Sequence, residues 1–445
     1  MVDWSKIPDV AAVALLTLAF FSVARHARRS SSRVWLTGWL MIVLHFAAFV
    51  FLPAPGNFGI AAALLGSSAL AWAGILFMWA SVPYRGQVSS RWMLGALFTT
   101  NTLYLSVLFI APPAHWLLVP AATLVGALPL AVALRYLPTF NHPLRWASVI
   151  LYSVLAVFLL IVQNRPDFGP VLALNAVFFT VFLGCCILFW YTYRRATAGA
   201  FITILGFLVW ANVFTIAPLM LIFFPGFHVE NEVWNLPKYV VAVGMILILL
   251  EDQIEHNKFL ALHDELTGLP NRRLFQDRLA NALERARRTG SKAALLLIDL
   301  DRFKEVNDTL GHHIGDELLK YVSRLFLGRV RRTDTVARTG GDEFSVVLEE
   351  PMNRDDAMGV ARVLTQLIEA PILLEGNTLR IGASAGIAVF PDDAGDAESL
   401  CIAADLRMYA SKRAARNRER HFVPAPILHD PFPSPDRDPG LQLAE

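Results

Sequence analysis

The chain has 445 residues, 55% of them hydrophobic and 17% charged, with a mean hydropathy of +0.47. Soluble domains run at about a quarter charged, so the composition excludes a wholly soluble globular protein. Three cysteines exclude a disulfide framework, and a net charge of +2 selects no partner class.

The N-terminus, "MVDWSKIPDV", carries acids and no basic stretch, which predicts no cleaved signal peptide. From Ile7 to Leu250 apolar runs alternate with short Pro, Gly or Arg punctuation. Most reach the roughly 17–25 residues a helix needs to cross the hydrocarbon core. Nine are read, roughly 7–24, 35–52, 60–82, 92–112, 116–134, 146–163, 170–193, 200–224 and 236–250. Eight spans remain open, because only "PPAH" divides the fourth and fifth runs and the last is short. The odd connections hold Arg25, Arg28, Arg29 and Arg33, then Arg85 and Arg91, Arg135 and Arg145, and Arg194 and Arg195. The even ones hold only Arg165 and Lys238. Basic residues stay on the cytoplasmic side, so the N-terminus is expected outside and everything after Leu250 inside. Within the runs, His45 is expected to make a helix-to-helix hydrogen bond, and Cys185 and Cys186 to pack rather than react.

The domain boundaries read from this pattern are 1–250 for the membrane region, 251–270 for a linker, 271–422 for a soluble domain and 423–445 for a tail. Running from the last apolar stretch into the linker, Leu247, Leu250, Ile254 and Ala261 fall at a and d of a short heptad register; a plain linker helix is equally open. The soluble domain reads as α/β. "NRRLFQDRLANALERARRTG" is an amphipathic helix closed by Gly290, and "AALLLIDL" a buried strand. "GHHIGDELLKYVSRLFLGRVR" is a helix, and "DTVAR" and "EFSVVLE" form a hairpin around "TGGD". A third helix, two strand-like stretches in "TLRIGASAGIAVFP" and a last helix follow. Strands interleaved with helices predict a sheet covered by helices. The tail "VPAPILHDPFPSPDRDPG" is Pro-rich and expected to be disordered.

The hairpin tip poses the chemical question. Gly340 and Gly341 are expected to take positive φ and bring bare backbone N–H groups close to a phosphate. Asp342 and Glu343 follow, and the strand "LLLIDLD" ends on Asp299 and Asp301. If that strand lies beside the hairpin, carboxylates converge at a sheet edge, repelling each other and any triphosphate. A magnesium ion resolves the conflict, held by one or two carboxylates and substrate phosphates. Such an ion activates a 3′-hydroxyl and neutralises charge at the α-phosphate. Lys304, Lys412 and Arg416 are the candidate phosphate partners.

Five blocks then carry a resemblance: "DELTGLPNRR", "DLDRFKEVNDTLGHHIGDELL", "RRTD", "RTGGDEF" and "YASKRAARN". In that order and spacing, His263 to Phe422 resembles the GGDEF domain of bacterial diguanylate cyclases. The resemblance implies an α+β sandwich related to polymerase palms and class III nucleotide cyclases. It implies condensation of two GTP to cyclic di-GMP by a homodimer, with Mg2+ or Mn2+, in the bacterial inner membrane and without a nucleic-acid partner. Asp299, Asp342 and the Leu300 carbonyl would hold metal; Asp342, favoured over Glu343, would help deprotonate the hydroxyl. Asn307 and Asp316 would read the guanine edge with His312 nearby. Phe303 and Lys304 would lie near the phosphates, and Lys412 and Arg416 would clamp them. Arg331 and Asp334, with Arg362, would form a product-inhibition site. Ala415 departs from the usual "GRN" and loosens the inference at Arg416. Two alternatives stay open: an idle domain serving as a GTP or cyclic di-GMP receptor, and a transporter with a nucleotide-binding regulatory tail.

Overall fold

A computed structural model describes residues 2–27, 29, 31–81, 88–110, 115–136, 142–162, 169–193, 197–224, 226, 231–350 and 353–416. The chain divides into two compact units, Met1–Glu255 and His256–Glu445. Arg28, Arg85, Arg165, Arg194 and Arg195 lie outside the described residues, as does the tail.

The first unit is helical. Its helices are α1 (Ile7–Ala24), α2 (Ser31–Phe49), α3 (Asn57–Ala80), α4 (Val88–Ile110), α5 (His115–Tyr136), α6 (His142–Val162), α7 (Gly169–Thr192), α8 (Ala198–Phe223) and α9 (Asn231–Leu262). Each of the nine apolar runs lies on one of them. Among the described residues, seven stretches are long and apolar enough to cross a membrane, whereas Trp116–Val132 and Trp146–Val162 are shorter. The last short run and the linker as far as Leu262 are one unbroken helix, α9, and Leu250 and Ile254 stand exposed on it.

Aromatic side chains fill the interior: Trp35, Trp39, Phe77, Phe207 and Trp210 are fully buried. Phe182 of α7 stacks on Trp210 of α8 with centroids 4.0 Å apart. His45 Nδ1 lies 2.9 Å from the Gly66 carbonyl, the helix-to-helix bond expected of it. Cys185 donates to the Gly74 carbonyl at 3.3 Å, and both cysteines are free and buried. A second polar link runs from α9 to α1: Lys238 donates to Asn235, and Asn235 donates to Asp9.

The second unit is built on a four-stranded antiparallel sheet of order β2-β3-β1-β6. Its elements are α10 (Arg272–Thr289), β1 (Ala293–Asp301), α11 (Phe303–Leu310), α12 (His312–Leu327), β2 (Thr335–Arg338), β3 (Glu343–Glu349), α13 (Arg354–Glu369), β4 (Ile372–Leu374), β5 (Asn377–Leu379), β6 (Gly382–Phe390) and α14 (Ala397–Arg416). Local chemistry sets the helix ends. Asn271 caps α10 by accepting the Arg273 and Leu274 N–H groups, and Gly290 ends it at φ +67°. Asn353 and Asp356 form a capping box on α13.

β1 reads as a continuous apolar run because both faces of the sheet are covered. Ala294, Leu296, Ile298 and Leu300 face a core shared with α12 and α13. Ala293 and Leu295 face the core of α10 and α14. The helix α14 rests directly on β6 at Gly386, where any Cβ would collide with the Ala404 carbonyl and the Met408 amide. The short elements α11 and β4 add to the predicted set.

Candidate active site

The strand bearing Asp299 does lie beside the hairpin. β1 and β3 pair in a register that sets Asp299 opposite Glu343. One step further, the Leu300 N–H donates to the Asp342 carbonyl at 3.2 Å. Asp299 and Asp342 therefore share one edge of the sheet, at the open end of the β2–β3 turn.

Within the turn, the Thr339 and Gly340 N–H groups both point at the Glu343 carbonyl, at 3.0 and 3.4 Å. The expectation of positive φ at Gly340 and Gly341 is corrected: neither lies in the left-handed region. The turn closes instead through these hydrogen bonds. Gly340 is bare for a different reason, since a Cβ there would meet the Glu343 carboxylate. Gly341 is exposed with open space over it.

Asp299 is almost fully buried, and the Lys412 ammonium of α14 donates to its Oδ1 at 2.6 Å. Asp342 is half-buried. Burial, and then the charge of Asp299, push its carboxyl above the ordinary carboxylate value, against smaller opposing effects of Lys412 and Arg338. Two ionisable carboxylates that repel each other across a strand pair, with hard oxygen donors, fit a divalent cation. Among the described residues no group of three or more His, Cys, Asp or Glu gathers. The protein thus offers Asp299 and Asp342, and the Leu300 carbonyl completes the predicted donor set.

Asp301, one pleat beyond Asp299, accepts from the Ser384 hydroxyl at 2.8 Å. Next comes Arg302 at φ +62°, a conformation that L residues rarely adopt. This bend sends the chain straight into α11. Phe303 packs against the core, whereas Lys304 is exposed. Gly311, at φ +86°, then folds α12 back on α11. The Asn307 carboxamide oxygen consequently lies over Gly315, where any Cβ would overlap it. His312 and Asp316 are exposed and four residues apart on α12, hence on one helix face. The three predicted base-reading residues thus gather on one helical hairpin. Arg416 ends α14, and its side chain lies outside the described residues.

Arg331 and Asp334 stand at the far end of β2. Four strand residues at about 3.3 Å each put them roughly 13 Å from the turn. Asp334 accepts N–H groups from Arg331 and Glu349, at 2.8 and 3.1 Å, while Arg331 is exposed. Arg362 is exposed on α13, and among the described residues no ion pair joins it to Asp334.

One pair received no role in the sequence reading. Arg338 binds both Asp264 oxygens through Nη1 and donates to the Gly341 carbonyl through Nε and Nη2, at 3.1 and 2.7 Å. Asp264 also accepts the Thr267 N–H and hydroxyl. Burial opposes its ionisation, yet these bonds outweigh burial and hold its carboxyl below the usual range. Both residues sit inside quoted blocks, but nothing local announces a contact between them.

The fold and the site together define a sheet-edge acidic centre with a flanking helical hairpin, in an α/β unit preceded by a helical region with candidate membrane spans. Residues 261–418 match the family model described as "Diguanylate cyclase, GGDEF domain". Over this segment the chain carries a GGDEF domain. It is 41% identical over 172 residues to the diguanylate cyclase TpbB of Pseudomonas aeruginosa, covering 38% of this chain and 40% of TpbB. It is also 41% identical over 193 residues to MucR of the same species, a bifunctional diguanylate cyclase/cyclic di-GMP phosphodiesterase, covering 40% of this chain and 28% of MucR. The chain therefore spans less than half the length of these curated relatives. A solved sensory box/GGDEF family protein of Caulobacter crescentus aligns at 40% identity over 34% of this chain and 99% of its own, with a TM-score of 0.33.

Proposed function

We propose that the chain is a membrane-anchored diguanylate cyclase. As a homodimer it condenses two GTP into cyclic di-GMP and releases two pyrophosphates. The observation that carries this reading is the shared edge of Asp299 and Asp342, with Lys412 on Asp299 and the raised proton affinity of Asp342. The similarity to TpbB over the same segment supports it.

Asp299, Asp342 and the Leu300 carbonyl would hold Mg2+ or Mn2+, which when bound neutralises phosphate charge and acidifies the attacking hydroxyl. The remaining work falls to the chain's own residues. Asp342 accepts the proton of the 3′-hydroxyl as that oxygen bonds to the α-phosphorus of the partner's GTP, and the phosphorus–oxygen bond to pyrophosphate breaks. A second attack in the opposite sense closes the ring. Glu343 lies one residue away and supports the same edge. Lys412 leaves Asp299 for substrate phosphate, with Lys304 and Arg416 as further cationic partners; Phe303 fixes the start of α11 beneath them. The exposed backbone of Gly341, beside Gly340, admits the phosphates.

Asn307 and Asp316 pair with the guanine O6 and N1/N2 groups, with His312 at the rim. A mispaired base would leave buried polar groups unsatisfied, which is an efficient way to reject it. Arg331, positioned by Asp334 and aided by Arg362, binds product away from the reacting atoms and lowers turnover. The helical region anchors the enzyme in a bacterial inner membrane with the GGDEF domain inside, and sets its output.

Full-length protein in lipid nanodiscs, given GTP and Mg2+, should yield cyclic di-GMP and pyrophosphate by mass. Asp342→Ala should abolish product while GTP binding persists. GTP binding without product from the unaltered protein would replace this reading with that of a receptor.

A further inference from the structure

The helical unit contains a cavity of about 110 Å³ where α3, α4, α5, α6 and α7 converge. None of its lining residues is Asp, Glu, Lys, Arg or His. A charged ligand would find no counter-ion there, and its desolvation would go uncompensated.

The lining is not uniformly apolar. Asn101, Ser148, Tyr152 and Thr180 contribute to it. The Tyr152 hydroxyl has one hydrogen-bond partner among the described residues, the Met78 sulfur at 3.6 Å, a weak acceptor. An independent feature adds an acceptor. Pro129 sits inside α5 and has no N–H, so the Val125 carbonyl, four residues earlier, lacks its helical donor. Val125 and Pro129 both line the cavity. A hydroxyl donor and a carbonyl without its helical donor thus belong to residues that line a largely apolar space. That is the pattern of a small-molecule site, with a few polar groups fixing orientation.

Volume limits the occupant. An engineered apolar cavity of about 150 Å³ holds benzene. A space of about 110 Å³ takes a compact group of similar or slightly smaller size.

We propose that this cavity binds an uncharged lipophile that reaches it from the membrane and presents a compact apolar group with one hydroxyl or carbonyl. A ligand hydroxyl accepts from Tyr152 and donates to the Val125 carbonyl, a ligand carbonyl accepts from Tyr152 alone, and the apolar part lies against Trp79 and Val177. The wall on α7 is continuous with the aromatic core. Beside Val177 and Val181, Phe182 stacks on Trp210 of α8 at 4.0 Å and Phe178 packs at a tilt on Phe214 at 5.1 Å. Lys238 of α9 lies 6.0 Å over the Trp210 ring.

The test is binding to full-length protein in nanodiscs, read by fluorescence and so independent of cyclase turnover. The probe is 2,2,2-trichloroethanol, a compact neutral alcohol that quenches tryptophan; trichloroacetate is its charged counterpart of the same shape. The part of the emission that Trp79→Phe removes should be quenched saturably by the alcohol and not by trichloroacetate. Val177→Phe, which fills the space, should abolish the saturable component. Tyr152→Phe keeps the volume and should raise the half-saturating concentration about three- to tenfold, the worth of one neutral hydrogen bond. If Val177→Phe does not fold, the Tyr152→Phe shift and the trichloroacetate contrast decide. Quenching that stays linear with concentration, is indifferent to Tyr152→Phe, or is equal for the anion would overturn the proposal.

Discussion

Arg338 and Asp264 are 74 residues apart in the chain, yet one guanidinium nitrogen lies 2.9 and 3.1 Å from both carboxylate oxygens. The other two nitrogens hold the carbonyl of Gly341, the residue before Asp342. The segment after α9 and the β2–β3 turn are thereby fixed to a single side chain. Arg338→Ala should destabilise the GGDEF unit by about 1.5–3 kcal/mol, the range for hydrogen bonds to charged groups in a pair that is 13% and 24% exposed. For a unit of this size that lowers its melting midpoint by roughly 2–4 °C per kcal/mol. Arg338→Lys should not restore it, because an ammonium cannot serve Asp264 and Gly341 together. A lysine variant with full stability and turnover would show that the fork is dispensable.

Asp342 gives a pH dependence with a definite sign. A carboxyl whose folded value is raised stabilises the protein in its protonated form. That contribution is present below the unfolded value of 3.8 and is lost as pH rises through the raised one. Near neutrality the ionised group is therefore a liability in metal-free protein. Asp342→Asn should be more stable than wild type at pH 7, and the difference should shrink as pH falls. The acid limb of wild-type turnover should lie above the ordinary carboxylate value and move to lower pH as Mg2+ increases. Urea melts at several pH values check the first statement, and rate–pH profiles at two Mg2+ concentrations the second.

Lys412→Met removes the cation on Asp299 and one of the influences that hold down the proton affinity of Asp342. The acid limb should move upward, KM for GTP should rise, and kcat/KM should fall by at least about tenfold, a loss of about 1.4 kcal/mol. A fall in kcat alone, with the pH profile unmoved, would place Lys412 outside both roles.

Asn307→Ala should weaken preference for GTP over ATP more than it lowers maximal turnover, since the amide is proposed to read the base. Competition between the two nucleotides in one reaction measures the ratio directly. A ratio equal to that of wild type would leave Asn307 as a packing residue against Gly315.

Gly340→Ala should separate fold from chemistry. The added methyl meets the Glu343 carboxylate, which can swing away, and the Glu343 Cβ at 3.1 Å, which gives by a few tenths of an ångström. The melting temperature should stay within about 1–2 °C, while turnover changes because the Glu343 carboxylate has moved. A large loss of stability would mean that the turn itself needs glycine there.

The parts of the fold that sequence makes legible are those decided by neighbours along the chain. Asn271 and Gly290 bracket α10 because capping and left-handed termination are local events. β1 is visible because burial on both faces demands an unbroken apolar run. The helix α11 is not visible, being eight residues long and launched from Arg302, an arginine in a glycine-like conformation that no propensity predicts. In the site, Asp299, Asp342, Asn307 and Lys412 are legible as residue types within quoted blocks. The Arg338–Asp264 pair is not, because a contact over 74 residues is a property of the folded sheet. The glycines mislead in the other direction: adjacent glycines suggest positive φ, whereas at Gly340 it is the nearby Glu343 side chain that crowds the position and would have to move for a larger residue.

Gly386 carries a consequence for kinetics rather than for folding alone. At that point a helix and a strand touch main chain to main chain, so the height of α14 above the sheet is set by the absence of one methyl group. Lys412 sits a little over one turn beyond Met408 on the same helix and inherits that height. If Lys412 binds substrate phosphate as proposed, a lesion at position 386 mild enough to fold would masquerade as a defect in triphosphate affinity, although Gly386 itself packs on the main chain of α14.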